Sequence, residues 1–350
     1  MTAGIIPHSR PWINNTDETA VSSVLRSGMI ARGDQVREFE QAVASWLGVK
    51  SSIACTSGTS ALILALKSLG IDEGDEVLIP TYVCWNVLAA ITAVGARPRL
   101  CDVDYTGVLT AQTVQAARTN KSKAIVAVHT YGHPCNISSL NRFELPVIED
   151  ACQAFGLNVN GSAVGTIGTL GVYSLHATKC LTTGEGGMLV ARSDTLLNKA
   201  RNLTKSIDLG NVTAHASMTD LQATLGKSQL ARYPVFLARR RILFADYHQC
   251  LATMDNVRPN YHGAPGYLFR FTFRTRKDFE AVQAGFLARG VQVRRGVDDL
   301  LHRLLGLKDR DFPIASKLFE QTVSIPFYPS LSDDEVEQVL YAMRDVFSGA

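Results

Sequence analysis

The chain has 350 residues, 46% hydrophobic and 19% charged, as expected of a soluble globular protein of one large or two moderate domains, long enough to bury a sizeable core. The formal charge of +3 is small and no lysine or arginine block occurs; the densest run, Arg239-Arg240-Arg241, lies in a helical pattern and reads as a solvated face, which leaves nucleic-acid binding without support. Seven cysteines without a CxxC pair argue against a disulfide framework and a zinc ribbon, and no leader pattern or apolar stretch of roughly 20 residues appears, so a reduced, cytoplasmic setting without membrane contact is the expectation.

In chain order, residues 16–27 and 34–47 read as amphipathic helices, with Thr16 and Asp34 as N-caps and Gly28 and Gly48 as C-caps. Between about 50 and 230, short apolar strands alternate with helical patterns. The strands are expected at 51–55, 76–80, 98–103, 124–129, 146–150, 171–175 and 187–191. Helices are expected at 60–69, 85–94 and 111–118. Several strands are nearly continuous apolar runs, as befits strands covered on both faces. The alternation predicts an α/β fold with a doubly wound, mostly parallel sheet. After about residue 235 the texture changes. A helix over 235–254, a β segment GYLFRFTFR (266–274) and helices at 276–288 and 333–347 predict a smaller α+β domain. The division expected is 1–235 for the large domain, with its N-terminal helical segment, and 236–350 for the small one.

Three segments carry chemistry. In TSGTSALILALKSLG (56–70) a strand ends at Cys55, a small-residue turn follows and a helix begins near Ser60. Such a turn offers free N–H groups to an anion; the plainer reading is Ser60 capping its own helix. In VIEDACQAFG (147–156) Asp150 ends a buried strand, where open α/β sheets place ligand-binding residues, and Gln153 follows at helical spacing. An acidic helix cap is the alternative there. In GVYSLHATKCLTTGEGGMLV (171–190) Lys179 lies in a polar loop between two strand ends, where it can be desolvated and act as an amine nucleophile. One amine to form an imine, one carboxylate for a pyridine nitrogen and one helix N-terminus for a phosphate are together what pyridoxal phosphate needs.

The same segments, in this order and spacing, resemble the DegT/DnrJ/EryC1/StrS family of sugar aminotransferases, within the fold-type I pyridoxal-phosphate enzymes. The likeness runs almost end to end, from SRPWI (9–13) through TSGTSALILAL, IEDACQAFG and TKCLTTGEGGM to SIPFYPSLSDDEVEQV (324–339). It implies a seven-stranded large domain and a homodimer with active sites shared between subunits. Lys179 would hold the cofactor as a Schiff base and then carry the proton. Asp150 would pair with the pyridine nitrogen, Gln153 would sit near the ring hydroxyl, and Gly58, Thr59, Ser60 and Ser174 would hold the phosphate. The implied reaction is a ping-pong amination of a keto group on a nucleotide-linked sugar, with glutamate as donor. A cyclitol or other cyclic ketone is the alternative acceptor, a lyase or dehydratase the alternative reaction, and a non-catalytic binding protein the alternative class.

Two positions depart from the family pattern. Where the family often carries an aromatic residue that stacks on the cofactor ring, this chain has Cys84, with Trp85 beside it and Tyr82 nearby, so the residue that covers the ring stays open. His215 stands where the family has an asparagine that reaches the neighbouring subunit's cofactor phosphate; it reads equally as a donor to that phosphate and as a plain interface residue. Arg294 and Arg295 are expected where the small domain approaches the site, either binding a carboxylate or phosphate or lying on the surface.

Overall fold

The structure is a computed structural model that describes residues 4–210, 213–260 and 265–347; the outermost residues of both expected domains lie outside that set. The first helix, Asn15–Ser27, is capped by Asn14 rather than Thr16. Asn14 Oδ1 accepts from the N–H groups of Thr16 and Asp17, and the Asp17 carboxylate accepts from Asn14 N–H at 3.0 Å. This reciprocal box satisfies more of the free N–H groups at the helix start than Thr16 alone could. The second helix, Asp34–Leu47, follows its expected span but begins after Gly33, while Gly28 and Gly48 close the two helices with positive φ, 72° and 68°.

Seven strands form the large sheet in the order Ile53–Cys55, Gly187–Ala191, Leu170–Ser174, Val147–Asp150, Ser122–Val128, Glu76–Pro80 and Arg97–Cys101. Only Gly187–Ala191 runs against the others. Successive side chains of a strand point to opposite faces, and both faces are filled. Ile53, Val172 and Leu189 enter the layer made with the helix Gly58–Leu69, whereas Ala54, Tyr173 and Met188 enter the layer made with Asp34–Leu47 and the long helix. This two-sided burial is why the strands read as continuous apolar runs. Because all but one are parallel, their carboxyl ends gather along one edge. Asp150, Ser174, the turn after Cys55 and the turn after Pro80 all lie there.

The long helix spans Asp220–Leu251, opening on a Thr219/Gln222 capping box and containing Pro234. The sequence pattern predicts this helix over 235–254; the observed one starts well before that and runs through Pro234, which lacks a helical N–H. Burial of Tyr233, Phe236 and Leu237 outweighs the missing bond and carries the helix through. The division expected at 235/236 therefore falls inside one helix.

The smaller sheet is antiparallel, in the order Val257–Pro259, Phe271–Thr275, Thr322–Ile325 and Arg294–Arg295. The helices Phe279–Leu287 and Asp333–Phe347 close it around Phe273, Phe286 and Phe347. The chain's first described residues join this layer. Ile6 bridges to Val291, His8 shares a 2.9 Å hydrogen bond with Ser324, and Arg10 pairs with Glu335 at 2.6 Å. Among the described residues no helix is long and apolar enough to cross a membrane.

Candidate active site

A cavity of about 440 Å³ opens at the carboxyl edge of the large sheet, with the small sheet as its far wall. Lys179, Asp150, Gln153, Ser174, Gly58, Thr59 and Cys84 all line it. Three turns bring them together. The helix Gly58–Leu69 is capped by Ser57, whose hydroxyl accepts from Ser60 N–H at 3.0 Å. Ser60 thus stands one turn into the helix, its hydroxyl bonded to Thr56 and Ser57, and it does not line the cavity. Among the described residues the N–H groups of Gly58 and Thr59 have no hydrogen-bond acceptor, so the positive end of this helix faces the cavity.

Close approach explains two glycines. A Cβ at Gly58 would lie 2.9 Å from the Ser174 side chain and 3.2 Å from Cys152 Sγ, and would fill the cradle for an anion. A Cβ at Gly187 would meet the Ser57 carbonyl oxygen at 2.2 Å. The glycine-rich turn after Lys179 is therefore what lets the lysine loop press against the helix start.

Asp150 is 6% exposed; its Oδ1 accepts from Cys152 N–H at 3.0 Å, and its carbonyl accepts from His129 N–H at 3.0 Å. The neighbouring Glu149 points to the other face and is fully buried. Burial works against its charge, but bonds from His129 and the N–H groups of Gly165, Ile167 and Gly168 outweigh it and hold the carboxyl below its usual range. Two adjacent acids thus have separate duties: Glu149 ties down the strand end, and Asp150 faces the cavity. Gln153 accepts from Tyr131 N–H at 2.8 Å through Oε1, which leaves its NH₂ group for a ligand.

Lys179 Nζ stands 4.5 Å from the centre of the Phe269 ring, an apolar face contributed by the small-domain side. Cys84 is exposed to solvent through the cavity mouth, yet the protein crowded around its sulfur, and after that the negative charge of Asp150, push its thiol up while Lys179 opposes them; the more enclosed Cys152 feels the same pair more strongly. Both thiols therefore sit in the field between amine and carboxylate and stay protonated.

Of the three side chains considered for covering the cofactor ring, only Cys84 reaches the cavity. Trp85 begins the next helix and is 61% exposed, and Tyr82 is buried with its hydroxyl bonded to Tyr131 at 2.9 Å. His215 is exposed and does not line its own chain's cavity. Arg294 and Arg295 occupy consecutive places on one strand and so part company. Arg294 lines the cavity, while Arg295 pairs with Glu280 at 2.7 Å and lies over Phe279. Arg270, Phe269, Cys152 and His176 also line the cavity, and sequence reasoning passed over all four. Cys152 and His176 lie inside motifs already singled out; Phe269 and Arg270 lie in a β segment whose pattern speaks only of packing.

A lysine amine, a buried carboxylate and free helix N–H groups in one cavity, on this doubly wound scaffold, fit the class that the comparisons show, the pyridoxal-phosphate-dependent aminotransferases. The chain belongs to the DegT/DnrJ/EryC1/StrS aminotransferase family, whose model matches residues 11–344. It is 30% identical to the GDP-perosamine synthase of Escherichia coli O157:H7, with 98% of this chain and 99% of that protein covered. Among solved structures it resembles the aminotransferase TlmJ from Streptoalloteichus hindustanus, at 30% identity and a TM-score of 0.90 over 98% of this chain and 99% of that one. The PLP form of Spr1654 from Streptococcus pneumoniae matches at 25% identity and a TM-score of 0.90, over 98% and 99%.

Proposed function

We propose that this aminotransferase moves an amino group from glutamate to a keto group on a nucleotide-linked sugar, in two half-reactions that share one site. The observation that carries the reading is the meeting of Lys179, Asp150 and the free N–H groups of Gly58 and Thr59 in one cavity that also receives Arg270 and Arg294. Kinship to a GDP-perosamine synthase supports a nucleotide-linked acceptor.

Bound pyridoxal phosphate supplies an electron sink for the pair left behind when a proton leaves the amine-bearing carbon. The residues of this chain do the rest. Gly58 and Thr59 N–H and the Ser174 hydroxyl hold the phosphate. The Asp150 carboxylate would pair with the protonated ring nitrogen, and the Gln153 amide would serve the ring hydroxyl. Lys179 Nζ would hold the cofactor and, when free of it, would hold and move the proton at the reacting carbons. The Phe269 ring covers that amine on one side, and Cys84 lines the same cavity. Arg294, which has no carboxylate partner among the described residues, receives the carboxylate of the donor. The site works in the cytoplasm as half of a homodimer, with His215 reaching the partner's phosphate.

The test is spectroscopic. Protein loaded with the cofactor is expected to show a visible absorption band that glutamate removes and that a ketosugar nucleotide restores. Lys179→Ala is expected to lose the glutamate response and at least about a hundredfold in amination rate. Turnover at the parental rate in Lys179→Ala would refute the assignment, and restoration of the band by cyclitol ketones alone would move the acceptor to that class.

A further inference from the structure

A second concave site lies away from the catalytic cavity and shares no lining residue with it. It is a groove of about 790 Å³ on the outer side of the small sheet, beside the edge strand Val257–Pro259. Five cations line it, Arg258, Arg274, Arg276, Lys277 and Lys317, against one carboxylate, Asp255. This one groove thus holds more net positive charge than the +3 of the whole chain.

Packing does not explain the concentration. Arg258 and Arg274 are direct partners across an antiparallel pair, so their side chains leave the same face side by side. Like charges in that position repel. Among the described residues no carboxylate stands within ion-pair distance of Arg258, Arg274, Arg276 or Lys317. Arg274 Nε is buried without a hydrogen-bond partner there. The Arg274 guanidinium and Lys317 Nζ both lie over the half-exposed ring of Tyr105, at 5.4 and 5.5 Å from its centre, so one platform holds two of the cations in place. Lys277 donates to the Val346 carbonyl at 2.8 Å, and among the described residues the other four cations donate no side-chain hydrogen bond.

We propose that this groove binds a small ligand bearing a diphosphate. Guanidinium groups match phosphate oxygens two at a time, and two neighbouring arginines suit two linked phosphates. The volume exceeds what one phosphate fills, and the low charge of the remaining surface disfavours a long nucleic-acid track. A bound diphosphate turns the Arg258–Arg274 repulsion into a shared attraction. The site is independent of the amination reaction and of the reading given above for it.

The experiment is calorimetric titration of the cofactor-loaded protein with inorganic pyrophosphate, ADP, inorganic phosphate and a short single-stranded RNA. One site is expected for pyrophosphate, with phosphate at least tenfold weaker. ADP equal to pyrophosphate assigns recognition to the diphosphate alone, and tighter ADP adds the Tyr105 ring; either supports the proposal. The paired variant Arg258→Ala/Lys317→Ala is expected to weaken pyrophosphate at least tenfold, and the exposed pair Arg276→Ala/Lys317→Ala repeats the test without touching the half-buried Arg274. Arg294→Ala should leave the affinity unchanged. Absence of pyrophosphate binding, equal loss in Arg294→Ala, or RNA binding tighter than pyrophosphate would each overturn the proposal.

Discussion

At the scale of single residues, the cavity is defined as much by what is missing as by what is present. Gly58 has no side chain because Ser174 and Cys152 stand where one would go. Gly58→Ala is therefore expected to push these groups apart and weaken cofactor binding about tenfold, the cost of an overpacked contact of ~1 to 2 kcal/mol. Ser60→Ala, one turn deeper, removes a hydroxyl bonded only to Thr56 and Ser57 and should change that affinity less than twofold. Fluorescence titration of apoprotein with pyridoxal phosphate separates the two; equal losses would return Ser60 to the phosphate cradle. The same scale separates Cys84 from Trp85. One residue's difference in position at the start of a helix puts the thiol on the cavity wall and leaves the indole outside it, though both side chains are exposed.

At the scale of elements, the short helices after the small sheet's Arg294–Arg295 strand are tied to the large sheet by polar contacts. Asp102 accepts from the N–H groups of Ile314 and Ala315, capping the helix Pro313–Gln321. The buried His302 joins Thr81, at 2.8 Å, to Asp309, at 3.0 Å. Asp309 also receives Arg303, and these partners, Arg303 first, hold its carboxyl down at about 2. A lowered carboxyl stabilises the fold fully above its unfolded value near 4, and the gain is lost as pH falls toward 2. Asp309 is half exposed, so solvent screening keeps the effect below about 1 kcal/mol. Asp309→Asn is expected to lower the melting temperature slightly at pH 6, with the gap to the parent closing between pH 4 and pH 2. A gap that stays constant with pH would show that the carboxylate's charge plays no part.

At the scale of the whole molecule, the proposed dimer makes a prediction that no single chain can meet. If His215 serves the partner's cofactor, Lys179→Ala and His215→Ala subunits are each defective alone. A mixed dimer then carries one site with both defects and one intact site. Mixing the two variants under exchanging conditions is expected to restore up to about half of the parental activity per mixed dimer, while light scattering reports twice the 38.0 kDa chain mass. Activity that never exceeds the sum of the separate variants would confine each site to one chain. Much of the architecture was legible in the sequence because it rests on local periodicity. The strands 76–80 and 187–191 and the helices 34–47 and 333–347 match their expected bounds, since buried runs and capping glycines mark their own ends. That Lys179, Asp150 and Gln153 share one cavity follows from motifs whose positions are set by a turn or a strand end. Only the tertiary structure decided that Pro234 lies inside a helix and that Arg294 rather than Arg295 faces the cavity. It alone placed Phe269 and Arg270 in the cavity wall and left Arg258 and Arg274 side by side with no counter-charge among the described residues. A sequence pattern records which face of an element is apolar, but which residues from distant elements meet is settled by how those faces pack.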